Sequence, residues 1–293
     1  MPLWPRFGGA DAGRLRGIVV TLAAMLLFGL MDAASKYLSA RYPAPQVVWL
    51  RYVFTIPLIF LVLRPRQTLV FARSKRPWLQ ALRSILLVVE IALIIWAFRQ
   101  LPLADVHAVL ALTPLVVTAL AIPILKEPVD LRGAAAIAAG FVGVLIILRP
   151  GAGVMGPATL VVLLAVLLYA LYQVLTRMVG RVDAAETSLL WQLVIGALAL
   201  CTVGPFVWQT PEPEHWPLFA LTAVLGGAGH FMLIRALQLA PVAIVQPFTY
   251  TLLLWAIVIG YVMFGDLPDR WTLLGAAVVV AAGTYTAVNA RRR

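Results

Sequence analysis

The chain has 293 residues, 62% apolar and only 12% charged, with a mean hydropathy of +0.96 and a net charge of +11. So little polar surface excludes an ordinary soluble domain and points to a protein that lives in a bilayer. A single cysteine, Cys201, and three scattered histidines without a His-Glu-x-x-His pattern exclude a disulfide framework and the common metal motifs, so neither metal nor cofactor is expected.

At about 20 residues per crossing, the chain divides into ten predicted helices. They cover residues 17–38, 45–63, 78–99, 103–125, 131–149, 155–179, 186–208, 216–238, 242–264 and 270–290. Arg6, Arg14 and Arg16 ahead of the first run resemble a signal peptide, but the chain stays equally apolar afterwards, and the run reads as a retained first span. Proline, glycine and charge mark the breaks, as in Tyr42-Pro43-Ala44-Pro45, Lys126-Glu127-Pro128, Arg149-Pro150-Gly151 and Asp266-Leu267-Pro268-Asp269. The connections leave no room for a separate soluble domain.

One segment is written twice. Ala24-Met25-Leu26-Leu27-Phe28-Gly29-Leu30-Met31-Asp32-Ala33-Ala34-Ser35-Lys36 corresponds to Ala165-Val166-Leu167-Leu168-Tyr169-Ala170-Leu171-Tyr172-Gln173-Val174-Leu175-Thr176-Arg177, with aromatic, small, polar, hydroxyl and basic residues in step. Further on, Gln100-Leu101-Pro102 answers Gln238-Leu239-Ala240-Pro241. The expected architecture is therefore an all-α membrane protein of ten transmembrane helices arranged as two inverted five-helix repeats, residues 17–149 and 155–290. Five crossings per repeat is an odd number, so the second copy enters the bilayer in the opposite sense.

Most of the 23 lysines and arginines flank the predicted spans on the side of the N-terminus, including Arg73, Lys75, Arg76, Arg83, Arg177, Arg181 and the tail Arg291-Arg292-Arg293. The positive-inside rule then places both termini in the cytoplasm of a bacterial inner membrane, with the bases against anionic headgroups. Nucleic acid is not an expected partner, because the bases flank spans instead of covering one soluble face.

Charges at bilayer depth are costly and face a partner or a wet cavity. Asp32 and Lys36 lie one turn apart and, with Arg51, form either a structural network or a substrate- or proton-linked group. Glu90 and His230 fall mid-span in helices that the repeat makes equivalent, which suits proton coupling across the pseudo-axis, or simple packing between helices. His107 lies near a boundary and reads as interfacial. Gly226-Gly227-Ala228-Gly229 strips one helical turn of side chains, for close packing or for substrate approach. Pro114 and Pro247 interrupt the fourth and ninth spans and are candidate hinges.

The second half, from Ala240-Pro241-Val242-Ala243 through Pro247-Phe248-Thr249-Tyr250, Trp255-Ala256, Phe264-Gly265-Asp266 and Thr272-Leu273-Leu274-Gly275, resembles the EamA domain of the drug/metabolite transporter superfamily. Asp266 stands where that pattern usually has glutamate. The resemblance covers nearly the whole chain and implies a transporter working by alternating access. It places Trp96, Tyr169, Gln173, Trp191, Gln246 and Tyr250 in helices around a central substrate cavity, while Trp49, Trp78, Trp208, Trp216 and Trp271 read as an interfacial belt. An aromatic-lined pocket with a few amides suits aromatic or large neutral amino acids. The expected function is export of amino acids or related small metabolites, by a monomer or homodimer. The alternative cargo is S-adenosylmethionine, a nucleoside-like metabolite or a cationic drug. No Gly-x-x-x-x-Gly-Lys-Ser/Thr loop is present for ATP, and no convergent catalytic set suggests an enzyme.

Overall fold

The computed structural model describes residues 10–62, 72–125, 131–148 and 156–291, and among these there are helices and no strands. In chain order they are α1 (Ala10–Ser39), α2 (Ala44–Val62), α3 (Pro77–Phe98), α4 (Leu103–Leu110), α5 (Thr113–Leu125), α6 (Leu131–Leu148), α7 (Pro157–Val179), α8 (Ala185–Cys201), α9 (Trp216–Leu239), α10 (Val242–Thr249), α11 (Thr251–Phe264) and α12 (Arg270–Arg291). Five stretches are long and apolar enough to cross a membrane: within α1, α3 and α7, and across Asp105–Leu125 and Pro213–Leu239. Proline in the first turn of α3, α7 and α9 occupies the one part of a helix where a missing N–H costs nothing. Large apolar side chains cover the outside, with Leu198 63% exposed and Val262 76% exposed, as lipid contact requires. Hydroxyls within the spans bond back to their own helix, as in Thr21 to the Gly17 carbonyl and Thr55 to the Arg51 carbonyl, both at 2.7 Å.

The packing is paired. Helix α1 lies along α9 and α7 lies along α3; α2 touches α9 as α8 touches α3; α11 packs on α1 as α5 packs on α7; and α6 packs on α12. Small residues permit these approaches. A Cβ on Gly143 would stand 2.9 Å from the Gly275 carbonyl oxygen, which brings α6 and α12 nearly backbone to backbone. The Gly226 to Gly229 turn serves the same purpose, facing Met31, Arg51, Thr55 and Phe28 of α1 and α2.

Two apolar stretches are broken in the same way. Pro102 (φ −54, ψ 148) precedes the eight residues of α4, and Pro241 (φ −55, ψ 150) precedes the eight residues of α10. The helices then stop at Ala111 and Tyr250 and resume as α5 and α11. The expected hinge prolines flank these breaks on different sides. Pro114 lies in the first turn of α5, after the break, and Pro247 lies inside α10, before it. The Pro247 side chain, like that of Gln246, is outside the described residues, as are Glu127, the segment 63–71 and Arg292–Arg293.

One end of the bundle gathers the loops 72–76 and 180–184, the end of α9 and the start of α1, where Gly17 meets Ala240. The Asp183 carboxylate there accepts hydrogen bonds from the Ser74 hydroxyl, the Lys75 N–H and the Gln80 amide. Burial raises its pKa, but these three donors outweigh that and hold the carboxyl below its ordinary 3.8. The opposite end joins Lys36, Leu101 and Asp266, and links Tyr42 to His215 and Gln46 to Gln209.

Candidate functional site

Between the two ends lies a cavity of about 100 Å³, room for several water molecules. Both copies of the duplicated segment line it: Phe28 and Asp32 of α1, and the corresponding Tyr169 and Gln173 of α7. Helix α3 adds Glu90, Ile91, Ile94 and Ile95; α9 adds His230; and the broken crossings add His107, Pro114, Thr249 and Tyr250. Aromatic rings pack on one another around it. Tyr169 stacks on Tyr172 at 5.7 Å with a 10° interplanar angle, and the His230 ring stands edge-on to Phe28 at 4.9 Å.

Of the residues expected to bind substrate, Tyr169, Gln173 and Tyr250 reach this cavity, together with the polar candidates Asp32, Glu90 and His230. Trp96 and Trp191 do not line it. The cavity-facing stripe of α3 runs through Ile91, Ile94 and Ile95, and Trp96 falls off that stripe onto the outer surface, 39% exposed. Trp191 instead donates its ring N–H to the Ala72 carbonyl at 3.0 Å, closing the loop that leads into α3.

The expected grouping of Asp32, Lys36 and Arg51 is divided. Lys36 turns to the far end, where it meets Asp266 Oδ2 at 3.3 Å, donates to the Leu101 carbonyl at 3.1 Å and lies 5.3 Å from the Phe264 ring centre. Asp32 Oδ2 stands 3.3 Å from His107 Nε2. His107 is thus a buried cavity residue and not an interfacial one, because α4 runs inward from Pro102 and carries its second turn into the bundle. Arg51 also reaches the cavity, at 4% exposure, with Nη1 donating to Met31 Sδ at 3.3 Å. The sequence places this residue in that grouping but does not give its neighbours on other helices; the glycine at 226 leaves space beside its Cδ.

Arg83 departs furthest from expectation. Counted among the boundary bases, it is instead fully buried in α3, where its guanidinium donates to the Gln80 amide oxygen (2.8 Å), the Thr176 hydroxyl (3.1 Å) and the Ser188 carbonyl (2.6 Å). His215, beside Glu212 and Glu214 at the opposite end, shares its Nδ1 with the Tyr42 hydroxyl at 2.8 Å.

Residues 15–149 and 156–287 each match the EamA-like transporter family. The S-adenosylmethionine uptake transporter of Rickettsia prowazekii is 25% identical over 276 residues, covering 92% of both chains. The riboflavin transporter of Rhizobium johnstonii is 27% identical over 284 residues, covering 94% of this chain and 92% of its own. That of Vibrio cholerae is 27% identical over 278 residues, with 92% of each covered. A crystal structure that shares 18% sequence identity superposes with a TM-score of 0.70 over 94% of this chain and 98% of the other, a likeness of fold.

Proposed function

Because the chain belongs to the EamA-like transporter family, we propose that this multi-pass membrane transporter takes up a small amphipathic metabolite bearing a flat heteroaromatic ring. The observation that carries this reading is a single cavity walled by Phe28, Tyr169 and Tyr250 and carrying Asp32, Gln173, Glu90 and His230 on the same surface. The named cargo of the relatives, S-adenosylmethionine and riboflavin, shares that chemistry. Export of aromatic or large neutral amino acids gives way, since two of the tryptophans on which it rested lie off the cavity.

The transporter works by alternating access between two inverted repeats of five crossings, 17–149 and 155–290, with α4–α5 and α10–α11 each counted as one crossing. Several features support that topology. The main helix pairings keep their pattern when the halves are exchanged, and the two Pro-initiated eight-residue helices enter from opposite ends, beside Lys36 and beside Gly17. Both termini face the cytoplasm of the inner membrane, because the end holding Arg73, Lys75, Arg76, Arg177 and Arg181 is the basic one. Bending at Ala111 and Tyr250 opens the two sides in turn, with Pro114 and Pro247 supporting the bends.

The test is uptake into proteoliposomes of labelled S-adenosylmethionine, riboflavin and phenylalanine. Saturable movement of either heteroaromatic compound, weakened by Tyr250→Ala, supports the reading. Movement of phenylalanine alone overturns it.

A further inference from the structure

Resting on that reading of the cavity, we infer that its cargo carries a carboxylate and a cationic group, with Arg51 receiving the carboxylate and Asp32 facing the cation. Arg51 Nη2 is buried and has no hydrogen-bond partner among the described residues, and Nη1 is engaged only by a thioether, a weak acceptor. A guanidinium at bilayer depth is costly, and one kept with a free fork beside a wet cavity is suited to a planar anion. The surroundings keep the position open. A Cβ at 226 would stand 3.3 Å from Arg51 Cδ, so Gly226 leaves the space in which the side chain extends.

The rest of the lining adds carboxyl groups. Asp32 and Glu90 stand in the same cavity, Asp32 with its Oδ2 3.3 Å from His107 Nε2. His230 Nδ1 and the Tyr250 hydroxyl also lack partners, leaving further polar atoms for a ligand among the aromatic faces. A guanidinium and the Asp32 carboxyl on one cavity fit a zwitterion whose cationic group lies among the aromatic residues Phe28 and Tyr169, since aromatic rings attract cations. A neutral flavin would satisfy neither charge. The inference therefore selects an amino-acid-bearing nucleoside over a flavin within the proposed class.

The experiment is competition for uptake into proteoliposomes by S-adenosylmethionine, its decarboxylated form, S-adenosylhomocysteine and 5′-methylthioadenosine, with riboflavin alongside. With the wild-type protein, loss of the carboxylate is expected to weaken competition about ten- to hundredfold, the scale of a hydrogen bond to a charged group. Loss of the sulfonium charge is expected to weaken it less. In Arg51→Gln the carboxylated and decarboxylated compounds compete equally, and Arg51→Lys restores part of the preference. If Arg51→Gln does not fold, the wild-type ligand series decides by itself. Equal competition by 5′-methylthioadenosine and S-adenosylmethionine, or transport of riboflavin alone, overturns the inference and leaves the heteroaromatic reading standing. Failure of every compound overturns both.

Discussion

Lys36 and Arg177 close the two copies of the duplicated segment, and each donates to a carbonyl where a long helix ends: Lys36 Nζ to Leu101, just after α3, at 3.1 Å and Arg177 Nη1 to Leu237, in the last turn of α9, at 2.7 Å. The two contacts stand at opposite ends of the bundle. Each ties its own helix, α1 or α7, to the loop that leads into an eight-residue helix, α4 or α10.

Lys36 adds a charge partner, Asp266 at 3.3 Å, placed by Gly265, whose left-handed backbone (φ 71) ends α11. Both groups are partly solvated, so the pair is worth under about 1 kcal/mol. A double-mutant cycle of Lys36→Met and Asp266→Asn, read by thermal unfolding in detergent, should give a coupling of about 0.5 kcal/mol, and the charge-reversed pair should recover most of it. Additive losses would exclude the contact.

Arg83 offers a harder test. Removing it leaves the Ser188 carbonyl, the Thr176 hydroxyl and the Gln80 amide oxygen without their donor inside the bundle. Arg83→Ala should cost about 3–5 kcal/mol, and Arg83→Lys should recover little because an ammonium cannot reach three acceptors in a fork. The measurement is the melting temperature in a fixed detergent; a lysine variant as stable as wild type would contradict this geometry.

Asp183 makes the same end sensitive to acid. Its pKa is depressed in the folded protein, so its contribution is present above the ordinary carboxylate value of 3.8 and is lost as pH falls through the folded value. Asp183→Asn should melt below wild type at neutral pH, and the gap should close once the pH drops under the carboxylate range. A gap that persists in acid would show that the carboxylate charge is not what holds Ser74, Lys75 and Gln80.

The bundle and its membrane setting were legible from apolar run lengths and from the duplicated segment, since both are properties of local sequence. Asp32 and Arg51 could be found as charges inside spans, and Tyr169 and Gln173 through the family resemblance, and all four line one cavity. The partners of Arg51, Arg83 and His107 could not. Each of these three residues sits within two turns of a boundary, where hydropathy gives equal weight to a base that snorkels outward and one that turns in; the difference rests on partners from distant helices, such as Gly226 and Ser188. Trp96 and Trp191 misled for a related reason: composition assigns an aromatic to a helix, but only packing assigns it to a face.

The glycine turn of α9 predicts an order of sensitivity. A Cβ on Gly229 would stand 2.7 Å from Phe28 Cε1, whereas one on Gly227 would stand 3.0 Å from the Thr55 methyl carbon. Gly229→Ala should cost about 1–3 kcal/mol by overpacking and displace a cavity-lining ring, and Gly227→Ala should cost less. Melting curves and uptake rates of the two variants check the order, and equal effects would contradict it.

Ala111 and Tyr250 end matching eight-residue helices, yet one is a methyl group and the other a phenol. Two separate copies of a single repeat would be bound to present the same residue from both sides. A fused duplication is released from that bond. Asp32 in the place of Gln173 within the duplicated segment, and Ala111 in the place of Tyr250, make the two sides of the cavity unlike, so it can hold a molecule that has no symmetry of its own.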